Sequence, residues 1–144
     1  MFASTFRKMK SSADAPPESS ARAIVAGHGD FPEGIVNAVD QISGCGGVFL
    51  PVSNRGLSGP DIETRLREAA ASYGVRVFFT DLPGGSATLA VRRMMRDDAE
   101  IMLVTGTNLA TLLEFSFQSM NDVQTAVRNA AEKGRAAIGT HGGS

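Results

Sequence analysis

Several residue types are scarce in this chain, and each shortage closes a class of function. One cysteine, Cys45, occurs in 144 residues, so no disulfide can form within the chain. Histidine occurs twice, as His28 and His141. Neither stands at metal-ligand spacing from the other or from Cys45, which leaves no zinc motif. Neither sign of charge is in excess: the formal net charge is −1. A chain so balanced has no general attraction for nucleic acid or for an anionic membrane. No apolar run approaches the ~20 residues that span a bilayer. The basic start "MFASTFRKMK" lacks the apolar stretch of a signal peptide, so a cytoplasmic protein is expected. No Gly-Lys-Ser/Thr marks a P-loop. Gly27-His28-Gly29 lacks the third glycine of a dinucleotide fingerprint.

What is present is an ordinary globular composition, 42% hydrophobic and 20% charged, at the length of one domain. Residues 1–21 are basic, then rich in Ser, Ala and Pro, and are expected to be a flexible extension. Residues 22–139 carry the domain, and 140–144 a flexible tail that includes His141.

Within the domain, apolar runs alternate with helical stripes. Strands are expected at 23–27, 47–52, 75–81 and 100–106. The first helix follows Asp30 and Glu33, read as a capping box, with Pro32 in its first turn. Its stripe is Ile35, Val36, Val39 and Ile42, and Gly44 stops it. Ser58 and Asp61 cap the second helix, which carries Ile62, Leu66, Ala69 and Tyr73 and ends at Gly74. Ala87, Ala90, Val91 and Met94 line the third. Leu109, Leu112, Leu113 and Phe117 mark the fourth. Ser119 and Asp122 open the fifth, with Val123, Ala126, Val127 and Ala130 on its face and Gly134 at its end. "AAIG", 136–139, reads as a short strand or as nothing regular.

The strands are continuous apolar runs, which means burial on both faces. The fold class is therefore α/β: an open, mainly parallel four-stranded sheet, order 2-1-3-4, with helices on both faces. Ligands of such sheets bind beyond the carboxyl ends of the strands. That rule singles out His28 after the first strand, Asp81 with Gly84-Gly85-Ser86 after the third, and Thr105 to Asn108 after the fourth.

A histidine acts as a nucleophile toward phosphorus when it is neutral, held at one nitrogen and open at the other. Asp81 is placed to hold it. Gly84, Gly85 and Ser86 open a helix, where free N–H groups favour an anion. Gly27 and Gly29 would keep bulk away from the imidazole. Each feature also has a plain structural reading: a buried or capping role for His28 and Asp81, a simple turn for the glycines. Cys45 reads as a small loop residue, and "RRMMRDD", 92–98, as a solvated face. A hydrolase built on the His28–Asp81 pair would need an activated water or a nucleophile, and Ser86 is the only serine well placed.

Three stretches, "IVAGHGDFPEGIVNAVDQISG", "FFTDLPGGSATLAVRRM" and "IMLVTGTNLATLLEF", resemble the IIA proteins of the mannose family of the bacterial sugar phosphotransferase system. The resemblance spans about residues 23 to 117. It implies that His28 takes a phosphoryl group from phospho-HPr and passes it to a IIB component, that Asp81 holds the imidazole, and that Ser86 lies beside the phosphate. It further implies an enzyme of phosphotransferase type without a cofactor, served indirectly by IIC and IID membrane components. It also implies a homodimer, with an antiparallel strand added at the sheet edge in some members. The sequence departs from the family pattern at Ala87 and Ala110, where proline is usual. A regulatory phosphotransfer module and the phosphotransfer subunit of dihydroxyacetone kinase are the alternatives.

Overall fold

A computed structural model describes residues 21–144; of the expected extension, only Ala21 falls within that range. The chain runs β1 (Ala23–Gly27), α1 (Phe31–Ser43), a single 3-10 turn (Gly46–Val48), β2 (Phe49–Ser53), α2 (Gly59–Tyr73), β3 (Val77–Thr80), α3 (Ser86–Asp97), β4 (Met102–Val104), α4 (Leu109–Phe117) and α5 (Val123–Ala137). The strands form one parallel sheet of order β2-β1-β3-β4. Among the described residues no antiparallel edge strand is added to it.

Alternate side chains of the central strands supply two separate cores, as the period of two along a strand requires. Ile24, Ala26 and Phe78 face α2 and α3, packing with Ile62, Leu66, Ala90, Val91 and Met94. Ala23, Val25, Val77 and Phe79 face the other way, with Val39, Leu112, Phe115, Ala126 and Val127. Phe78 and Phe79 are neighbours in sequence, both fully buried, one in each core. Burying a side chain of that size contributes roughly 1.5–3 kcal/mol. On the second face Phe79 meets Phe49 and Phe115 at centroid distances of 6.0 and 5.1 Å. Pro51 sits in β2, the edge strand, where its missing N–H costs no inner ladder bond. On the first face Glu63 of α2 joins Arg93 of α3 and its own neighbour Arg67. Those two guanidinium hydrogen bonds hold the Glu63 carboxyl below its ordinary pKa, the bond from Arg93 most of all.

Several local expectations need correction. Asp30 makes no capping hydrogen bond at the start of α1; its carboxylate is engaged by Arg55 at 2.6 Å instead. Ile42 and Phe117 belong to the helical stripes by spacing, yet they are 61% and 65% exposed, each in the last turn of its helix. The strands other than β1 are shorter than their apolar runs. Val75 and Ile101 are buried in the first core without being strand residues, so hydrophobicity overstated the strand ends.

The largest correction is at Gly134. It does not end α5, which continues to Ala137, and 136–139 form no strand. Gly134 is the point where α5 touches α4. An added Cβ there would sit 1.9 Å from Thr111 Oγ1 and 3.0 Å from Asn108 Oδ1. Asn108 caps α4 by accepting from the Thr111 N–H at 3.0 Å, and its amide donates to the Gly134 carbonyl at 2.9 Å. Gly134→Ala must therefore push the helices apart and break that clasp. We expect a loss of about 2–4 kcal/mol, in the range of overpacking plus a lost cap, despite alanine's better helix propensity. A thermal melt within about 1 kcal/mol of the parent would show that the two helices separate freely.

Candidate functional site

The three strands that end side by side bring the site together. β1 lies between β2 and β3, with Gly27 opposite Ser53 on one side and Ala26 opposite Thr80 on the other. One residue further along, His28, Asn54 and Asp81 leave the sheet at the same edge. The parallel register thus carries His28 to Asp81, 53 positions away in sequence.

Asp81 holds His28 twice with one oxygen. Its Oδ2 accepts from the His28 backbone N–H at 2.8 Å and lies 2.8 Å from the ring Nδ1. An ionised carboxylate only accepts, so the neutral imidazole carries its proton on Nδ1 and keeps its lone pair on Nε2. The histidine side chain is 51% exposed, the aspartate 12%. The pair is thus anchored on the protein side and open on the other. Asp81 Oδ1 is buried with no hydrogen-bond partner among the described residues.

Three of the glycines, Gly27, Gly29 and Gly85, stand where a side chain would clash or strain the backbone. Gly27 makes room for the aspartate: a Cβ there would lie 2.6 Å from Asp81 Cγ and Oδ2. Gly29 adopts φ 55°, a left-handed turn, with Arg55 as its nearest neighbour at 3.6 Å from an added Cβ. Gly85 makes room for the imidazole. Its φ is 91°, and a Cβ would stand 3.0 Å from His28 Cε1 and 3.5 Å from Nε2. Nothing lies within 4 Å of a Cβ added at Gly84.

Gly85 is also the N-cap of α3, and no side chain caps that helix. Its first backbone bond runs from the Leu89 N–H to the Gly85 carbonyl. The N–H groups of Ser86, Ala87 and Thr88 are therefore those that a helix start leaves without an intrahelical acceptor. His28 Nε2 thus faces the positive end of a helix of 12 residues, a setting that stabilises an anion bound there. The loop between β3 and α3 is pinned from below: the buried Thr88 hydroxyl lies 2.7 Å from both the Thr80 hydroxyl and the Leu82 carbonyl. Ala87, where the family pattern has proline, is buried in the first turn of α3.

One participant was not anticipated. Asn54, just beyond β2, donates from Nδ2 to the Ser86 hydroxyl at 3.1 Å. A signal for it exists in the sequence, since Asn54 directly follows a strand at the same carboxyl edge, but an asparagine after a strand is common in plain turns. Beside it, Ser53 Oγ donates to the Gly29 carbonyl at 2.8 Å and accepts from the Arg55 N–H at 3.0 Å. Arg55 pairs with Asp30, and that hydrogen bond raises the guanidinium pKa further above its ordinary value. In contrast, Thr107 and Asn108 are engaged in structure. The Thr107 N–H bonds the Thr80 carbonyl at 3.0 Å, and Asn108 is occupied with α4 and α5. Among the described residues no cluster of His, Cys, Asp and Glu could hold a metal ion, and no helix is long and apolar enough to cross a membrane. His141 is exposed within a terminal segment that is exposed from Ile138 onward.

A half-exposed histidine with a partly buried carboxylate behind it and a helix N-terminus before it has the parts needed to form and release a bond to phosphorus. Comparison with known proteins gives the family and the fold. The family described as EIIA-man, PTS system fructose IIA component, matches residues 22–132. No curated protein sequence matches the chain. Among solved structures, a phosphotransferase system component EIIA from Streptococcus agalactiae superposes with a TM-score of 0.75 at 21% identity, covering 83% of this chain and 96% of that one. A mannose/sorbose specific IIA subunit of the phosphotransferase system from Enterococcus faecalis gives 0.73 at 18% identity, covering 87% and 97%. The fold recurs, with a TM-score of 0.57 at 13% identity, in a sigma-54 interaction domain protein from Enterococcus faecalis, covering 78% and 91%.

Proposed function

Because the chain belongs to the EIIA-man family, the fructose IIA components of the sugar phosphotransferase system, we propose that it is a phosphocarrier that accepts a phosphoryl group from phospho-HPr on His28 Nε2 and hands it to a IIB protein. The observation that carries this reading is the pairing of His28 Nδ1 with Asp81 at 2.8 Å while the opposite ring edge lies against Gly85 at the start of α3.

In the forward step the Nε2 lone pair attacks phosphorus. The P–N bond of the donor phosphohistidine breaks, and its electron pair returns to the donor imidazole. His28 then carries the phosphoryl group as an imidazolium whose positive charge is offset by Asp81. The phosphoryl oxygens lie toward the open N–H groups at the start of α3 and the Ser86 hydroxyl. The second step is the reverse of the first, with a IIB histidine as the nucleophile. No proton leaves Nδ1 in either direction, so the pair needs no general base, and a solvent-open histidine suits an acceptor that must meet two partner proteins in turn. The fold is shared with a protein whose description concerns sigma-54 interaction, so fold does not by itself separate sugar uptake from a regulatory use of the same phosphorylation.

The test is incubation with phosphoenolpyruvate, the first enzyme of the system and HPr, followed by intact mass. We expect one phosphoryl group, lost in acid and stable in alkali as phosphoramidates are. No mass gain, or an acid-stable one, would defeat the reading. Addition of a cognate IIB protein then distinguishes transport from regulation by whether it discharges the labelled chain.

A further inference from the structure

We propose that Asn54 is a positioning residue for phosphoryl transfer, acting through Ser86: its amide donates to the Ser86 oxygen and so commits the hydroxyl's only hydrogen to the phosphoryl group on His28. This rests on the phosphocarrier reading above. The argument is one of hydrogen-bond capacity. A serine hydroxyl has one hydrogen and two lone pairs, and it rotates to suit its surroundings. Beside a carbonyl it would donate there and offer an incoming anion only its lone pairs. Asn54 Nδ2 can only donate, and it lies 3.1 Å from Ser86 Oγ. One lone pair is thereby occupied, and among the described residues no acceptor is hydrogen-bonded to the hydroxyl. The hydrogen is left for a ligand.

The Asn54 backbone is itself held. The Asn54 N–H donates to the Gly27 carbonyl at 2.9 Å, extending the β1–β2 pairing by one residue, and its carbonyl accepts from the Leu57 N–H at 3.0 Å. Gly27 is the residue before His28. The same peptide strand end therefore sets both the imidazole and the group that aims Ser86. Ser86 in turn follows Gly85, the residue against the ring. A donor aimed before the anion arrives costs no reorganisation when the charge moves. Ser86 and Asn54 are both half-buried.

The test is a double-mutant cycle on the rate of phosphorylation by phospho-HPr, using the full chain with Asn54→Ala, Ser86→Ala and both, each with a thermal melt. Loss of a whole anion-hole donor costs about 10²–10³ in rate. A residue that only aims one should cost less, roughly 3- to 20-fold. We expect Asn54→Ala to slow transfer by that factor in the parent and not at all in the Ser86→Ala background. Asn54→Asp, which offers acceptors where the amide offered a donor, should slow transfer at least as much as alanine. Equal slowing in both backgrounds would show that Asn54 acts on local structure, and it would overturn the inference. Transfer by Asn54→Asp at the parent rate would do the same. If the parent chain itself takes no phosphoryl group, the phosphocarrier reading falls and this inference with it; if the parent is labelled and the cycle shows no coupling, the inference alone falls.

Discussion

His28→Ala is expected to take no phosphoryl group at all under conditions that label the parent chain to completion. The expectation follows from the count of nucleophiles at the site. Beyond His28, the carboxyl edge of the sheet offers Asp81, which is turned inward and spends Oδ2 on the His28 backbone, and the Ser86 hydroxyl, whose oxygen is held by Asn54. Neither can form a phosphoramidate. The other histidine, His141, stands in the exposed segment after α5, without a carboxylate hydrogen-bonded to either nitrogen among the described residues. The variant should fold. The side chain removed is half exposed, and the bond lost is one to a partly buried carboxylate that retains the backbone N–H of residue 28. A cost of about 1 kcal/mol is expected. Intact mass with and without acid treatment decides the matter. A full acid-labile gain in His28→Ala would move the chemistry elsewhere, with His141→Ala as the next variant to examine.

Much of this site was legible because one rule of parallel sheets did most of the selection. Once the apolar runs were read as buried parallel strands, the carboxyl edge followed, and with it His28, Asp81, Gly85 and Ser86. Where the reading failed, tertiary contacts had reassigned residues whose local pattern was ambiguous. Asp30 and Glu33 have capping-box spacing, but Arg55 arrives from another loop and takes the Asp30 carboxylate. Gly134 has the look of a helix stop. The glycine is there because Thr111 and Asn108 leave no space for a Cβ, a fact that exists only once α4 is packed on α5. Gly27 is a similar case. Its lack of a side chain serves Asp81 rather than access to the imidazole, and no local signal separates those two uses. Asn54 is the most instructive omission. Nothing about an asparagine in a polar turn marks it as part of a site. It becomes one only because β2 pairs with β1 in a register that sets it opposite the start of α3.

Asp81→Asn should fold nearly as the parent does and transfer phosphoryl groups about 10- to 1000-fold more slowly. Loss of an orienting carboxylate costs up to roughly 10⁴ where a histidine works as a base. A phosphorylated histidine makes a milder demand, since the charge to be offset is shared with the phosphoryl group itself. The geometry separates the contributions. The oxygen that does the holding is Oδ2, which meets both the backbone N–H and Nδ1 of His28. An asparagine that keeps its oxygen there can accept from the same two donors, so the ring stays in place and only the charge is lost. Its NH2 then occupies the position of Oδ1, which is buried without a partner already. A neutral group at that position costs no more to bury than the carboxylate oxygen it replaces. Were the amide to turn over, its NH2 would set a donor against both Nδ1–H and the backbone N–H; the imidazole would have to move its proton to Nε2, losing the nucleophilic lone pair, and the backbone N–H would still lack an acceptor. The first orientation keeps both hydrogen bonds and is the one expected, so transfer should slow with little change in melting temperature. The measurement is the single-turnover rate from phospho-HPr alongside a thermal melt. Transfer at the parent rate by a well-folded variant would mean that the carboxylate merely anchors the backbone of residue 28, and that the charge behind the imidazole contributes nothing to the chemistry.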